Sequence, residues 1–418
     1  MIKKALILIL ICLYAGFCFG FDLNSLSAME KNAVKKALLK FKLQIDENPQ
    51  NKTVDEIYVF TEEPFVKSEG FLQSLNKFHT LTKNQIILRK VFLKKGQIYQ
   101  ESLIKESQRA LINPIVRSLV SIVPIKSKKN QKAVDLLVVT RDVLSLRIAT
   151  DGAIVGQAVQ GFVLSLGDSN IAGLNKQLAF TYALEPFIYG LTLQFYDPEV
   201  FGYLYTLLLQ QGIILNNEDS SYEGASGRFA FTKPLYSQND KWGYGFNFFY
   251  QYAPKFDLED GKILLFEGME RKYRWFEINT SLTATRSFGN IFKNNFTFGY
   301  GVNIYRPNLY EDSTFTSQAK VRFIESVLPV KENESFAILG YSHFKNKFLT
   351  LYNYKTYEFE EIIRLGAYFS LNFNLAAQLL LSDYNFVRPN AYFGYTFKLS
   401  KESFLRLSTQ GEIRYQGK

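Results

Sequence analysis

The residues that would carry chemistry are few: 2 His and 2 Cys in a chain of 418 residues. His79 and His343 stand far apart in unlike segments. That spacing favours neither an imidazole-centred triad nor a histidine-rich metal site, and both read as ordinary polar surface residues. Cys12 and Cys18 fall within a leader that is expected to be removed. The mature chain would then lack disulfides, thiol catalysis and thiolate metal ligands. There is no glycine-rich phosphate loop ending in Lys-Ser/Thr and no nucleophile elbow. The spacing Asp168-x-Asn170-x-x-Gly173 reads first as a turn, because Asx side chains cap backbone amides and glycine accepts positive φ. Calcium held by Asp168 and Asn170 is the lesser reading. Asp197-Pro198 begins a similar turn that closes at Gly202, and Gly96 is a third break. No enzyme activity, cofactor or metal site is expected.

Composition bounds what must position such turns. Aromatic residues make up 16% of the chain, with 38 Phe and 26 Tyr against 2 Trp, and charged residues 21%. Mean hydropathy is −0.08. A helical membrane protein needs several apolar runs of about 20 residues, which are missing. A disordered chain would be poor in aromatics. Many aromatics without long apolar runs suit strands that alternate between lipid and water. The net charge is +10, or +8 once Lys3 and Lys4 are subtracted. The basic residues are dispersed, so nucleic acid is not an expected partner. Anionic lipid head groups or lipopolysaccharide fit better, and plain solubility is the simplest reading.

The chain opens like a secretory signal peptide. Lys3 and Lys4 precede an apolar run from Ala5 to about Ala15, and small residues end at Gly20. A membrane anchor is the alternative for residues 1–20. Residues 21–52 read as an amphipathic helix with Leu26, Ala33, Leu38, Leu39, Phe41 and Leu43 on its apolar stripe, then a polar linker. Residues 53–142 read as one small α/β domain. A strand at 53–60 is followed by a helix at 82–92 capped by Thr82, a helix at 100–112, and strands at 115–125 and 133–140.

From residue 143 the period changes. Segments of about ten residues alternate apolar or aromatic with polar side chains, as at 158–166, 176–185, 189–197, 243–252, 294–305 and 390–399. Gly, Asn, Asp or Pro bounds each one, as hairpins require. A membrane-crossing strand takes about 9–11 residues. Strands in lipid must close on one another, because nothing else satisfies their amides. The expected fold is mainly β, an antiparallel transmembrane barrel of about 12–16 strands over 143–418, behind the α/β domain. A soluble barrel or sandwich is the alternative.

The order strand, helix, helix, strand, strand before such an array resembles the outer-membrane assembly and translocation family, whose periplasmic POTRA domains precede a barrel. Residues 92–111, with Gly96 and Tyr99 before the second helix, look like the POTRA pattern, and 134–142 like its closing strand. Residues 166–178, carrying Asp168, Asn170 and Gly173, are similar to the family's first hairpin. Residues 193–207, carrying Asp197, Pro198 and Gly202, resemble the next one. The chain departs from the family in its last residues, Tyr415 to Lys418, and in lacking the late Arg-Gly-Phe motif. A product cut at 418 and a shortened, divergent member are both open.

The resemblance implies a cell outer-membrane protein with its N-terminal domain in the periplasm, inserting or translocating polypeptides. Implied partners are outer-membrane lipids and lipopolysaccharide, unfolded outer-membrane protein clients or an exported polypeptide, and periplasmic accessory proteins. A client strand would satisfy an unpaired edge. In the small domain that edge would be 115–125 or 133–140, with Val134, Leu136 and Val138 as contact residues. In the barrel it would be the first strand, 143–157, through Leu144, Leu146 and Ile148. Asp151, Gly152 and Gly156 are expected to leave that strand poorly paired. A passive pore or surface barrel is the alternative function.

Overall fold

The computed structural model describes residues 21, 23, 26–65, 67–155, 158–310, 316–352, 354–355, 360–400 and 402–417. The expected leader, with Lys3, Lys4, Cys12 and Cys18, lies outside the described residues, as does Gly156. The chain forms two compact units, residues 1–66 with 83–143 and residues 67–82 with 144–418.

The smaller unit is a three-stranded sheet with helices on both faces. Its elements are α1 (Ala28–Phe41), β1 (Thr53–Glu62), α2 (Asn84–Arg89), α3 (Glu101–Leu111), β2 (Arg117–Lys126) and β3 (Ala133–Asp142). Ser27 starts α1 with a capping box: its hydroxyl accepts from the Glu30 amide at 3.2 Å, while its own amide donates to the Glu30 carboxylate at 2.8 Å. Lys42 ends the helix in the left-handed region at φ 53°. Strand order is β1-β3-β2, with β1 parallel and β2 antiparallel to β3.

Alternation along β3 feeds two cores. Val134, Leu136 and Val138 pack with Ile87, Leu93, Ile104 and Leu111 on one face. Leu137 and Val139 pack with Ala33, Val34 and Ala37 of α1 on the other. A strand covered on both faces reads as a continuous apolar run, which is why LLVV here is not alternating. Leu39 was assigned to the stripe of α1 but is 80% exposed; Val34 and Ala37 take that face instead.

The helix expected from 82 is shorter, and Thr82 does not cap it. The N-cap of α2 is Lys83, which makes no side-chain cap. Thr82 is buried. It belongs to residues 67–82, which cluster with the larger unit and carry a 3-10 segment, Lys67–Phe78.

The larger unit is a 14-stranded antiparallel sheet. Its strands are β4 (Leu146–Val155), β5 (Ala158–Asp168), β6 (Gln177–Leu184), β7 (Ile188–Asp197), β8 (Thr206–Asn216), β9 (Tyr222–Lys233) and β10 (Trp242–Phe256). After two short hairpins come β11 (Lys272–Phe288), β12 (Phe292–Leu309), helix α4 (Ser317–Ser326) and β13 (Glu332–Lys345). A separate hairpin of β14 (Phe348–Tyr352) and β15 (Glu360–Arg364) precedes β16 (Gly366–Ala376), β17 (Phe386–Lys398), β18 (Phe404–Glu412) and β19 (Tyr415–Gln416). Each strand pairs with its sequence neighbours, except that β13 passes over the β14–β15 hairpin to pair with β16. The path ends at β4 on one side and β18 on the other, with β19 added to β17.

Register sorts the side chains into two unlike faces. One row runs Ser165–Thr181–Thr192–Gly212–Ser226 across β5 to β9. Another runs Thr285–Thr297–Gly340–Asn372–Asn390 across β11 to β17. The opposite face carries rows such as Leu166–Phe180–Leu193 and Ala284–Phe298–Leu339–Phe373. Leu166, Phe180, Leu193, Phe246, Leu282, Phe298, Leu339 and Leu407 on that face are all exposed. The apolar face is therefore an outer one, the reverse of a soluble sandwich.

Candidate functional site

The two ends of the sheet are the places where backbone groups lack a strand partner. β4 pairs with β5 from Leu146↔Asp168 to Ala153↔Gly161, then passes an irregularity to Val155↔Ala158. The expectation that Asp151 and Gly152 would weaken this pairing is therefore corrected. Asp151 instead accepts the Gly152 amide at 2.8 Å. A Cβ on Gly152 would stand 3.5 Å from the Gly161 carbonyl oxygen, so no side chain is sterically barred there. The unpaired side of β4 is the other one, since no described strand adds to it. Leu146 and Ile148 lie on the apolar face, 50% and 68% exposed, while Leu144 precedes the strand and is half-buried. β18 mirrors this arrangement: among the described residues it pairs only with β17, and Leu405 and Leu407 are exposed.

In the smaller unit the edges are β1 and β2; of the two strands expected to offer an edge, only β2 lies at one, and β3 is central. Val134, Leu136 and Val138 sit in the central strand, with β1 on one side and β2 on the other. They are fully buried. A strand paired on both sides has no free amides to offer, so these three are core residues. The outer side of β2 is itself covered near its end, where the Asp46 amide donates to Pro124 O at 3.1 Å and the Lys126 amide to Gln44 O at 2.8 Å. On β1, Glu56 is clamped by Lys129 at 2.8 Å and Lys95 at 3.1 Å, which hold its carboxyl below the usual range. Burial acts the other way on Asp135 and pushes its carboxyl up. Asp135 still accepts the Glu56 amide at 3.0 Å.

The turn residues share one geometry. Asp168 accepts the Asn170 amide at 2.7 Å, and Asp197 accepts the Glu199 amide at 2.9 Å. Ala172 and Phe201 then enter the left-handed region at φ 51° and 53°, followed by Gly173 at 70° and Gly202 at 84°. Gly173 bonds back to Asn170 O at 2.9 Å and Gly202 to Glu199 O at 3.1 Å. Two consecutive positive-φ residues explain why the second of each pair is glycine. Pro198 sits inside the second turn, after the capping Asp197. Lys176 links the two turns through a 2.9 Å ion pair with Asp197.

Only the first turn carries Asn at its third position, and this buried side chain has a job. Its Nδ2 donates to Thr80 O at 3.1 Å and Thr82 Oγ1 at 3.0 Å, and its Oδ1 accepts the Asn175 amide at 2.7 Å. Gly96, at φ 84°, ends a separate turn and donates to Val54 O at 2.8 Å. His343 faces Asn294 at 2.9 Å and stacks on Phe292.

One cluster was not anticipated. Glu334 of β13, 1% exposed, pairs with Arg388 of β17 at 2.5 Å and with Arg414 at 2.8 Å. It also accepts from Asn303 of β12 at 2.7 Å, and Arg414 pairs again with Glu332. The signal was present as Glu-Asn-Glu at 332–334 inside a strand, but its arginines are more than 50 residues away in sequence.

No family model matches the chain, and no curated protein matches it. Among solved structures it is similar to BamA from Haemophilus ducreyi lacking POTRA domains 1-3, at 12% identity and TM-score 0.35, over 86% of this chain and 55% of that one. This chain thus spans about half of that structure's length. It is also similar to CdiB from Acinetobacter baumannii, at 12% identity and TM-score 0.40, over 95% of this chain and 78% of that one. CdiB from Escherichia coli aligns at 11% identity and TM-score 0.28, over 87% and 70%.

Proposed function

We propose that this chain is a member of the outer-membrane assembly and translocation family and receives polypeptide clients as added strands at an unpaired sheet edge. The observation that carries the reading is the two-faced sheet, whose exposed side is apolar and whose other side is polar. Such a sheet is stable in hydrocarbon only if every backbone amide is bonded, so β4 and β18 close on each other or on a third strand. Stacked Trp242 and Tyr244, with Arg286 4.9 Å from the Trp242 ring, suit a membrane-water boundary.

On this reading residues 146–418 form a barrel in the cell outer membrane, and the smaller unit is a POTRA-like domain in the periplasm. Lipids and lipopolysaccharide contact the apolar face. Unfolded outer-membrane proteins or an exported polypeptide are the clients, with periplasmic accessory proteins on the smaller unit. The seam between β4 and β18 is the client site, through Leu146 and Ile148 on one lip and Leu405 and Leu407 on the other. β2 is the edge strand of the smaller unit that a client would join. No step in this cycle needs catalysis, metal or cofactor. Photo-crosslinkers at 146, 148, 405 and 407 in growing cells are expected to capture a polypeptide, and four silent positions would sink the proposal.

A passive pore is the second reading, favoured by the Ser, Thr, Asn and Gln lining of the polar face. Steady ohmic conductance in planar bilayers, with normal outer-membrane protein levels after depletion, would select it.

A further inference from the structure

Some arginines of the sheet find a carboxylate, as Arg388 and Arg414 do in the Glu334 cluster. Two others meet at one hollow without one. Arg364, at the end of β15, and Arg406, on β18, line one cavity of about 210 Å³ together with Gly366, Tyr368, Tyr392, Gly394 and Thr396. Among the described residues no carboxylate lines it. Among the described residues neither guanidinium has an ion-pair partner.

Register brings these residues to one place. Gly366 stands opposite Thr396, which stands opposite Arg406, and Tyr368 stands opposite Gly394. The Arg364 guanidinium packs on aromatic rings, 4.0 Å from the centre of Phe344 and 5.8 Å from that of Tyr368. Its Nε is buried without a hydrogen bond to any described residue. The Arg406 Nε donates to Thr396 Oγ1 at 3.1 Å. Gly394 keeps the middle open: a Cβ there would stand 2.9 Å from the Tyr392 hydroxyl.

Two like charges beside one hollow repel each other, and a half-buried guanidinium without a hydrogen bond is costly. Both costs vanish if an oxyanion sits between them. Guanidinium forks bind carboxylate and phosphate oxygens bidentately, and phenol and threonine hydroxyls add neutral donors. The charge selects among anions. A phosphate monoester or inorganic phosphate carries about −1.5 to −2 at neutral pH, matching two arginines, where a carboxylate matches one. A single water needs only about 10–15 Å³ of such volume, so the cavity is far larger than one water requires.

We propose that this cavity binds a phosphate group, either free phosphate or the phosphomonoester head group of a lipid. The inference does not depend on strand addition and holds for a pore as well.

The test uses the full chain in dodecyl maltoside micelles free of phosphate. Inorganic phosphate is titrated calorimetrically at constant ionic strength, with chloride as the control anion. A parallel arm titrates mixed micelles containing phosphatidic acid. Saturable binding in either arm is expected, and the arm that responds identifies the source. Arg364→Gln and Arg406→Gln are each expected to weaken it at least tenfold, and Tyr392→Phe, which keeps both charges, about threefold. Far-UV circular dichroism checks that each variant retains its strands. Failure of both arms overturns the proposal, as does binding unchanged in the arginine variants. Should those variants lose their strands, unchanged binding by Tyr392→Phe overturns it instead.

Discussion

The side-chain amide of Asn170 donates to the hydroxyl of Thr82 at 3.0 Å, joining residues 88 apart in sequence inside a buried turn. This bond and its partner to Thr80 O tie the 80–82 stretch to the turn between β5 and β6. Gly173 completes the joint, because a Cβ there would collide with the Leu81 carbonyl.

Asn170→Ala therefore removes the side-chain donor to the Thr80 carbonyl and the acceptor of the Asn175 amide, at a cost of about 1–3 kcal/mol for each buried polar group left unpaired. Gly173→Ala combines a positive φ with the collision and is expected to cost about as much. Limited proteolysis should show residues 67–82 cleaved faster in both variants. Wild-type cleavage rates in both would refute the joint.

The two faces of the sheet make opposite demands on charge. Leu282→Arg places a cation on the exposed apolar face and is expected to cost about 2–4 kcal/mol in a bilayer. Thr283→Arg, one residue on, points to the polar face and is expected to cost far less. Equilibrium unfolding in vesicles compares them, and equal penalties would mean the faces are wrongly assigned.

Glu334 compensates two arginines at once. Glu334→Gln keeps the shape but leaves Arg388 without a carboxylate and Arg414 with Glu332 alone. The loss is expected to be about 3 kcal/mol, the low end for a broken buried pair, since both arginines keep some solvent access. The same change made together with Arg388→Met should recover part of it. Denaturant midpoints in micelles measure both, and an unaltered midpoint for Glu334→Gln would discount the cluster.

Asp135 and Glu56 give the smaller unit opposing pH dependences. Burial raises the carboxyl of Asp135, so the folded state favours its protonated form. Its contribution is best below the ordinary carboxylate value of about 3.9 and declines as pH climbs through the raised value. Lys129 and then Lys95 lower the carboxyl of Glu56, so its contribution is present above its ordinary value and fades as pH falls through the lowered one. Asp135→Asn retains an acceptor for the Glu56 amide. It should raise hydrogen-exchange protection of the 136–139 amides at pH 7 and flatten its decline from acid to neutral pH. Weaker protection at pH 7 would contradict the burial argument.

Leu136 tests the correction to the small-domain edge. As a fully buried central-strand residue, it should lose about 2–5 kcal/mol on substitution by Ala. A stable unit with diminished client capture would restore it as a contact residue.

Much of the fold was legible because local signals and burial agree. A strand wetted on one face and apolar on the other must alternate with period two, and β5, β6, β7, β10, β12 and β17 all fall on segments that alternate in sequence. Asp168, Asn170 and Gly173 announced a turn because only certain side chains cap amides and only glycine tolerates positive φ cheaply. What local chemistry cannot encode is who lies beside whom. LLVV at 136–139 looks the same in an edge strand as in a central one, and only the order β1-β3-β2 distinguished them. Thr82 looks like a helix cap until Asn170 claims its hydroxyl. Glu334 meets Arg388 and Arg414, and Arg364 meets Arg406, only through pairings spread over β12 to β18. Periodicity is a property of one strand, whereas charge compensation belongs to the register between strands, and that register is fixed by the sheet as a whole.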